Sequence, residues 1–147
     1  MAPWWTPKNH ADRQPLLRAR GRMKEACRRY FLDSGFTEVE CGILRVSPGN
    51  ETHLHGFATQ RQTPAGTRDT FYLHTSPEFA MKKLLAAGER KIFEFARVFR
   101  NREAGALHAP EFTMLEWYRA GAPYSDVIDD TLRLIALGAE AAGATTL

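Results

Sequence analysis

The stretch Lys91-Ile92-Phe93-Glu94-Phe95-Ala96-Arg97-Val98-Phe99-Arg100 is followed, after a loop of about 11 residues, by Phe112-Thr113-Met114-Leu115-Glu116-Trp117-Tyr118-Arg119. Both alternate with a period of two. Ile92, Glu94, Ala96, Val98 and Arg100 share one face of the first, opposite Phe93, Phe95, Arg97 and Phe99; Phe112, Met114, Glu116 and Tyr118 share one face of the second. Parallel neighbours need a crossover of about a dozen or more residues, so this pair predicts a long antiparallel hairpin. Arg100 emerges at a strand end beside a loop holding Arg102, Glu103 and His108. A guanidinium offers a planar fork of donors and stays charged, which suits a phosphate, although a salt-bridged surface hairpin uses the same residue types. Glu116 and Tyr118, two apart on one face, suit an ammonium: one supplies charge, the other a hydrogen bond and a π-face. Buried pairs of this kind also serve structure alone.

Upstream, Phe71 to His74 alternates as a third strand, and Thr75-Ser76-Pro77-Glu78 follows with a hydroxyl to cap, a proline to begin and an acid in the first turn. A helix to about Ala87 is predicted, with Gly88 beyond its end, and Glu78 becomes one more acid available to an amine. Gln60 to Asp69, polar and holding Pro64 and Gly66, reads as a hairpin-type loop. Ser47-Pro48-Gly49-Asn50 is a turn that closes short extended segments at Phe36 to Glu40 and Ile43 to Val46. Before them, Leu16, Ala19, Met23, Ala26 and Tyr30 recur at helical steps between Pro15 and Ser34, with Gly35 as the stop. Arg18, Arg20, Arg22, Lys24, Arg28 and Arg29 cover the other sides of that amphipathic helix, as a solvated face does; a nucleic-acid patch is the sharper alternative. Residues 1–14, with Pro3, Pro7 and Trp4-Trp5, read as an irregular arm whose aromatics pack on the body of the protein. Downstream, Ser125 is expected to cap a final helix whose first turns carry Asp126, Asp129 and Asp130.

At 147 residues, 44% hydrophobic and 25% charged, the chain is long enough for one domain with a core, and it is not compositionally disordered. No apolar run approaches the roughly 20 residues that span a bilayer, and the start lacks an apolar signal segment, so a cytoplasmic address and no membrane partner are expected. Cys27 and Cys41, without C-x-x-C spacing, read as packing residues. His53-Leu54-His55 has no companion ligands at metal spacing, so no protein-held metal site is expected. A net charge of +3 is compatible with an anionic ligand or nucleic acid and by itself decides neither.

The stretches Thr75-Ser76-Pro77-Glu78, Phe99-Arg100-Asn101 and His108-Ala109-Pro110-Glu111-Phe112-Thr113-Met114-Leu115-Glu116-Trp117-Tyr118 together resemble the catalytic core of class II lysyl-tRNA synthetases. Within that family they are most similar to the elongation factor P β-lysine ligases, paralogues that modify a protein instead of a tRNA. The resemblance implies an α+β fold, a class II synthetase-like antiparallel sheet flanked by helices. It also implies a reaction in which an amino-acid carboxylate attacks the α-phosphate of ATP to give an acyl-adenylate and pyrophosphate. In the ligases, (R)-β-lysine is then passed to a lysine of elongation factor P. By the same resemblance Arg100 is the catalytic contact to the α-phosphate. Ser76, Pro77, Glu78, Glu116 and Tyr118 bind the amino acid, with Glu78 on an amino group. Arg100, Asn101, Arg102, Glu103, His108, Ala109 and Phe112 surround ATP, Phe112 by stacking on the base. Mg²⁺ accompanies ATP, with much of its shell supplied by water. The partners implied are elongation factor P and lysine or β-lysine, in a homodimer when complete, without tRNA.

Three positions depart from the family pattern. Arg102 stands where glutamate is usual, with Glu103 next to it; Cys41-Gly42 stands where a proline usually follows the first signature strand; Ala109 stands where asparagine is frequent. The chain is expected to be a 1–14 arm and, over 15–147, the N-terminal part of a catalytic domain, incomplete and inactive by itself. It reaches Thr145-Thr146-Leu147 without a G-x-G-x-x-R-like third signature. The short arm has no room for an anticodon-binding barrel of about 100 residues, which favours the ligase over a lysyl-tRNA synthetase core fragment. A non-catalytic synthetase-like binding module is the alternative of a different class.

Overall fold

The computed structural model describes residues 3–103 and 105–144. Met1 and Ala2 of the expected arm, and the Thr145-Thr146-Leu147 terminus, lie outside them. In chain order the elements are α1 (Pro7–Asp33), β1 (Thr37–Glu38), β2 (Leu44–Arg45), β3 (Phe57–Gln62), β4 (Arg68–Leu73), α2 (Glu78–Ala86), β5 (Lys91–Phe99), β6 (Glu111–Arg119) and α3 (Tyr124–Ala142). This is an α+β chain. It divides into two compact units, Met1–Phe36 with Ala122–Leu147, and Thr37–Gly121.

In the first unit α1 and α3 run antiparallel. The Tyr30 hydroxyl donates to Asp130 Oδ1 at 2.5 Å, and further along the Arg22 Nε donates to the Ala141 carbonyl at 2.8 Å. Phe31 and Phe36, fully or almost fully buried, meet edge to face at 4.9 Å. The expected helix start at Pro15 is corrected to Pro7. A proline costs nothing in the first turn, where its missing N–H has no partner anyway, and Pro15 is then carried inside the helix. The apolar stripe is corrected too: Leu16 and Met23 are exposed. The described part of α3 ends at Ala142, level with Arg22, so the earlier turns of α1 have no helix beside them in this unit. Trp4 and Trp5 are exposed rather than packed on the body; they meet each other at 5.7 Å, with Arg13 over Trp4 at 5.4 Å. Ser125 does not cap α3, which begins one residue before it after Pro123 and ends on Gly143 in the left-handed region (φ 78°).

The second unit holds two three-stranded sheets, ordered β1-β5-β6 and β2-β4-β3. The β5–β6 hairpin is antiparallel from Lys91↔Arg119 to Phe99↔Glu111, and β1 joins β5 in parallel through Thr37↔Ile92 and Glu38↔Phe93. Ile92, Phe93, Ala96 and Val98 are buried, with Met81 of α2, so the central strand has a covered residue at most positions. The expected loop at Gln60 to Asp69 shrinks to residues 63–67. The β3 strand pairs with β4 from Phe57↔Leu73 to Gln62↔Arg68, and its polar residues face solvent, which hid it from a hydrophobic pattern. Gly66 turns that hairpin at φ 83°. No helix of the described residues is long and apolar enough to cross a membrane.

Candidate functional site

The β5–β6 hairpin and the segment entering α2 bring most of the expected amino-acid-binding residues into contact. Pairing sets Ile92 opposite Tyr118, Glu94 opposite Glu116 and Ala96 opposite Met114, so these side chains share a face. Glu116 is the hub. Its Oε1 accepts a hydrogen bond from the Ser76 hydroxyl, and its Oε2 accepts one from the Tyr118 hydroxyl at 2.9 Å. Ser76 Oγ in turn accepts the Glu78 N–H at 3.0 Å, which makes Ser76 the working cap of α2, while Pro77 takes helical angles (φ −76°, ψ −5°). The cap fixes the hydroxyl, and the hydroxyl fixes the carboxylate.

The protonation of this cluster follows from its surroundings. Burial, then the charge and hydrogen bond of Glu116, push the Tyr118 phenol up, with the charge of Glu78 adding to the effect. Tyr118 therefore keeps its proton and is the donor to Glu116. Glu78 Oε1 receives Lys82 Nζ at 2.5 Å, one helical turn away, and that contact raises the exposed Lys82 ammonium above its ordinary value. Glu78 and Lys82 thus form an i, i+4 ion pair on the open side of α2.

The hairpin's far end holds the arginine. Arg100 continues past β5, where its N–H donates to the Pro110 carbonyl at 2.9 Å and its Nε to the Thr75 carbonyl at 3.3 Å. Its guanidinium carbon lies 5.2 Å from the Phe112 ring centroid. Thr75 is buried and anchored on the Pro48 carbonyl through its hydroxyl at 3.0 Å. The consecutive residues Thr75 and Ser76 therefore link Arg100 to Glu116. Four steps of strand lead from Phe112 to Glu116, about 14 Å at roughly 3.4 Å each.

The remaining expected residues lie in the β5–β6 loop and do not converge. Asn101 N–H donates to the His55 carbonyl at 2.7 Å, and its Oδ1 accepts the Arg102 N–H at 2.8 Å. Arg102 is exposed in the left-handed region (φ 64°), and Glu103 beside it is half-buried. His108 and Ala109 are exposed; the His108 N–H donates to the Gly105 carbonyl at 3.0 Å, and a Cβ on Gly105 would lie 2.8 Å from His108 Nδ1. Ser76 and His74 also line a groove of about 630 Å³ with Arg45, Phe79 and Lys83. Glu116 and Tyr118 are not part of its walls.

Residues 6–145 match the family of class II tRNA synthetases of the D, K and N type. The chain belongs to that family. It is 44% identical over 138 residues to a protein of Actinobacillus succinogenes named elongation factor P–(R)-β-lysine ligase, covering 89% of this chain and 41% of the relative. Proteins of the same name from Avibacterium paragallinarum and Haemophilus ducreyi are 43% and 44% identical over 138 residues, covering 89% of this chain and 41% and 40% of theirs. The chain spans about two-fifths of the length of these relatives.

Three residues at the site were not singled out from sequence: Thr75, Lys82 and Glu94. The alternation of β5 does set Glu94 on the face of Glu116, but only the strand register makes the two direct neighbours. Lys82 follows Glu78 by four residues, the helical spacing at which an acid and a base pair, so its position was readable. Thr75 was read only as part of the stretch before α2, because its contact with Arg100 is made by a backbone carbonyl.

Proposed function

We propose that this chain carries the amine pocket and the α-phosphate contact of an ATP-dependent amino-acid ligase that modifies elongation factor P with (R)-β-lysine or lysine. The observation that carries the reading is the Ser76–Glu116–Tyr118 network joined through Thr75 to Arg100. A carboxylate held by two hydroxyls at one end of the path and a guanidinium at the other support a diamino acid bound by its amine and attacking through its carboxylate. Glu116, oriented by two hydroxyl donors, and Glu78 receive the ammonium groups; Lys82 leaves Glu78 as the substrate amine arrives. Tyr118 adds its phenol.

At the other end the amino-acid carboxylate oxygen attacks the α-phosphorus of ATP, the bond to pyrophosphate breaks, and an acyl-adenylate remains. Arg100 neutralises the charge that builds on the α-phosphate oxygens, a contribution of about two to three orders of magnitude in rate. Phe112 presents a ring to the base once the guanidinium moves from its face to the phosphate. Asn101, Arg102, Glu103, His108 and Ala109 form the loop over the nucleotide. Mg²⁺ would accompany ATP and would supply charge neutralisation at its phosphates, with no ligand required from these residues. The ε-amino group of an elongation factor P lysine then attacks the acyl carbon, forming an amide as AMP leaves. Such a ligase would work on a cytoplasmic partner and, when complete, as a homodimer.

The test incubates a chain of the relatives' length carrying residues 1–147 with ATP, Mg²⁺ and labelled β-lysine or lysine, and offers elongation factor P or tRNA(Lys) as acceptor. Label on elongation factor P with pyrophosphate release is expected. Charging of the tRNA at synthetase rates would refute the ligase reading in favour of a lysyl-tRNA synthetase core, and the absence of amino-acid-dependent pyrophosphate exchange would favour a binding module.

A further inference from the structure

Glu94 is almost completely buried (4% exposed) in the central strand of its sheet. Its Oε1 accepts the Cys41 N–H at 3.1 Å, while its Oε2 is buried without a partner among the described residues. Its cross-strand neighbour is Glu116, a second carboxylate. Like charges directly opposed across a strand pair destabilise it, and a buried carboxylate oxygen without a donor adds to that cost. The nearby cation does not resolve this: Arg45 acts on the same Cys41 thiol as Glu94, yet no ion pair joins Arg45 to Glu94 among the described residues, and Arg45 Nη2 is itself buried and unpartnered. Glutamine at this position would keep the Cys41 contact and remove the like charge beside Glu116, so stability alone does not account for a glutamate here.

We propose that Glu94 is a positioning residue of the amine pocket, a buried carboxylate beside Glu116 that strengthens the pocket's hold on a primary ammonium without touching it. The inference rests on the amine-pocket reading above. Oε2 is closed to solvent, which excludes direct contact with an arriving amine. Charge acts at a distance through the poorly polarisable interior, where Coulomb interactions fall off slowly and are weakly screened. The carboxylate cluster is therefore under mutual repulsion when empty and relieved when a cation fills it. Burial first, and then the Glu94 carboxylate beside it, push the neighbouring Cys41 thiol up to about 12, with the charge of Glu116 also contributing, so both carboxylates act on one spot.

The experiment compares wild type, Glu94→Gln and Glu94→Asp in a chain of the relatives' length carrying residues 1–147, by calorimetric titration with lysine, β-lysine and norleucine and by urea unfolding without ligand. Glu94→Gln is expected to weaken lysine and β-lysine by about tenfold relative to norleucine and to leave the unfolding midpoint equal or higher. Glu94→Asp keeps the charge and should hold lysine affinity within about threefold of wild type even where its shorter reach loses Cys41. Unchanged lysine affinity in Glu94→Gln, or an equal loss for norleucine, overturns the inference, as does an Asp variant as weak as Gln. A wild type that binds no primary ammonium compound refutes the amine pocket itself, a result distinct from failure of the Glu94 variants alone.

Discussion

Replacing Ser76 by alanine removes one oxygen that performs two tasks. Its hydroxyl donates to the Glu116 carboxylate and accepts the Glu78 N–H at 3.0 Å. A hydrogen bond to a charged acceptor contributes about 1.5–3 kcal/mol, and a side-chain cap about 1 kcal/mol. Glu116 is only half-buried and keeps the Tyr118 hydroxyl, so water replaces part of the first contribution. A net loss of about 2 kcal/mol follows, which at a urea slope of roughly 1–3 kcal/mol per molar lowers the midpoint by about 1 M. The assay is urea unfolding followed by far-ultraviolet circular dichroism, in a cycle with Glu116→Gln. The two substitutions should be non-additive by about 1 kcal/mol, because each removes the same charged contact. A loss under about 0.5 kcal/mol for Ser76→Ala, or additivity within about 0.3–0.5 kcal/mol, would show that Ser76 does not orient Glu116.

Arg100→Ala should lower amino-acid-dependent ATP–pyrophosphate exchange by about two to three orders of magnitude while lysine affinity stays within about threefold, since the guanidinium matters most when phosphorus is attacked; near-normal exchange would remove Arg100 from the mechanism. For Cys41 the thiol is raised from 9.0 to about 12 in the folded protein, so the folded state holds this proton more tightly than the unfolded one. Its contribution to stability is therefore complete below pH 9 and is lost as pH rises from there towards 12. Urea midpoints should fall more steeply over that alkaline range in wild type than in Cys41→Ser, and equal slopes would contradict the assignment.

The two hairpin strands and the helix after Pro77 were legible because each is written in local rules: period-two alternation, a capping hydroxyl before proline. The turn expected at Ser47-Pro48-Gly49-Asn50 is instead irregular backbone, and the hydrogen-bonded turn falls just after it, where the Leu54 N–H meets the Glu51 carbonyl at 3.2 Å. The same rules failed where tertiary context decided. Pro7 and Pro15 both look like boundaries, and nothing local says that the first begins a helix and the second is carried within it. The β3 strand is polar because it is exposed, and its partner β4 defines it through the ladder from Phe57↔Leu73 to Gln62↔Arg68. Leu16 recurs at helical spacing with the rest of its stripe, yet a stripe becomes core only where a second element lies against it.

The sequence alone determined the residue types of the candidate site and their strand faces: an arginine at a strand end, a glutamate and a tyrosine two apart, a hydroxyl and an acid at a helix start. Side-chain period and capping depend on near neighbours in the chain, so they are readable without coordinates. Only the tertiary structure decided which of them meet. Ser76 reaches Glu116 across 40 positions and Arg100 reaches back 25 to the Thr75 carbonyl, because the register of β5 on β6 and the course of the segment entering α2 bring them together. Glu94 is the sharpest case. Its alternation marks a face, but its burial, its unpartnered oxygen and its place beside Glu116 arise from strand pairing and packing, which are long-range properties that no local pattern encodes.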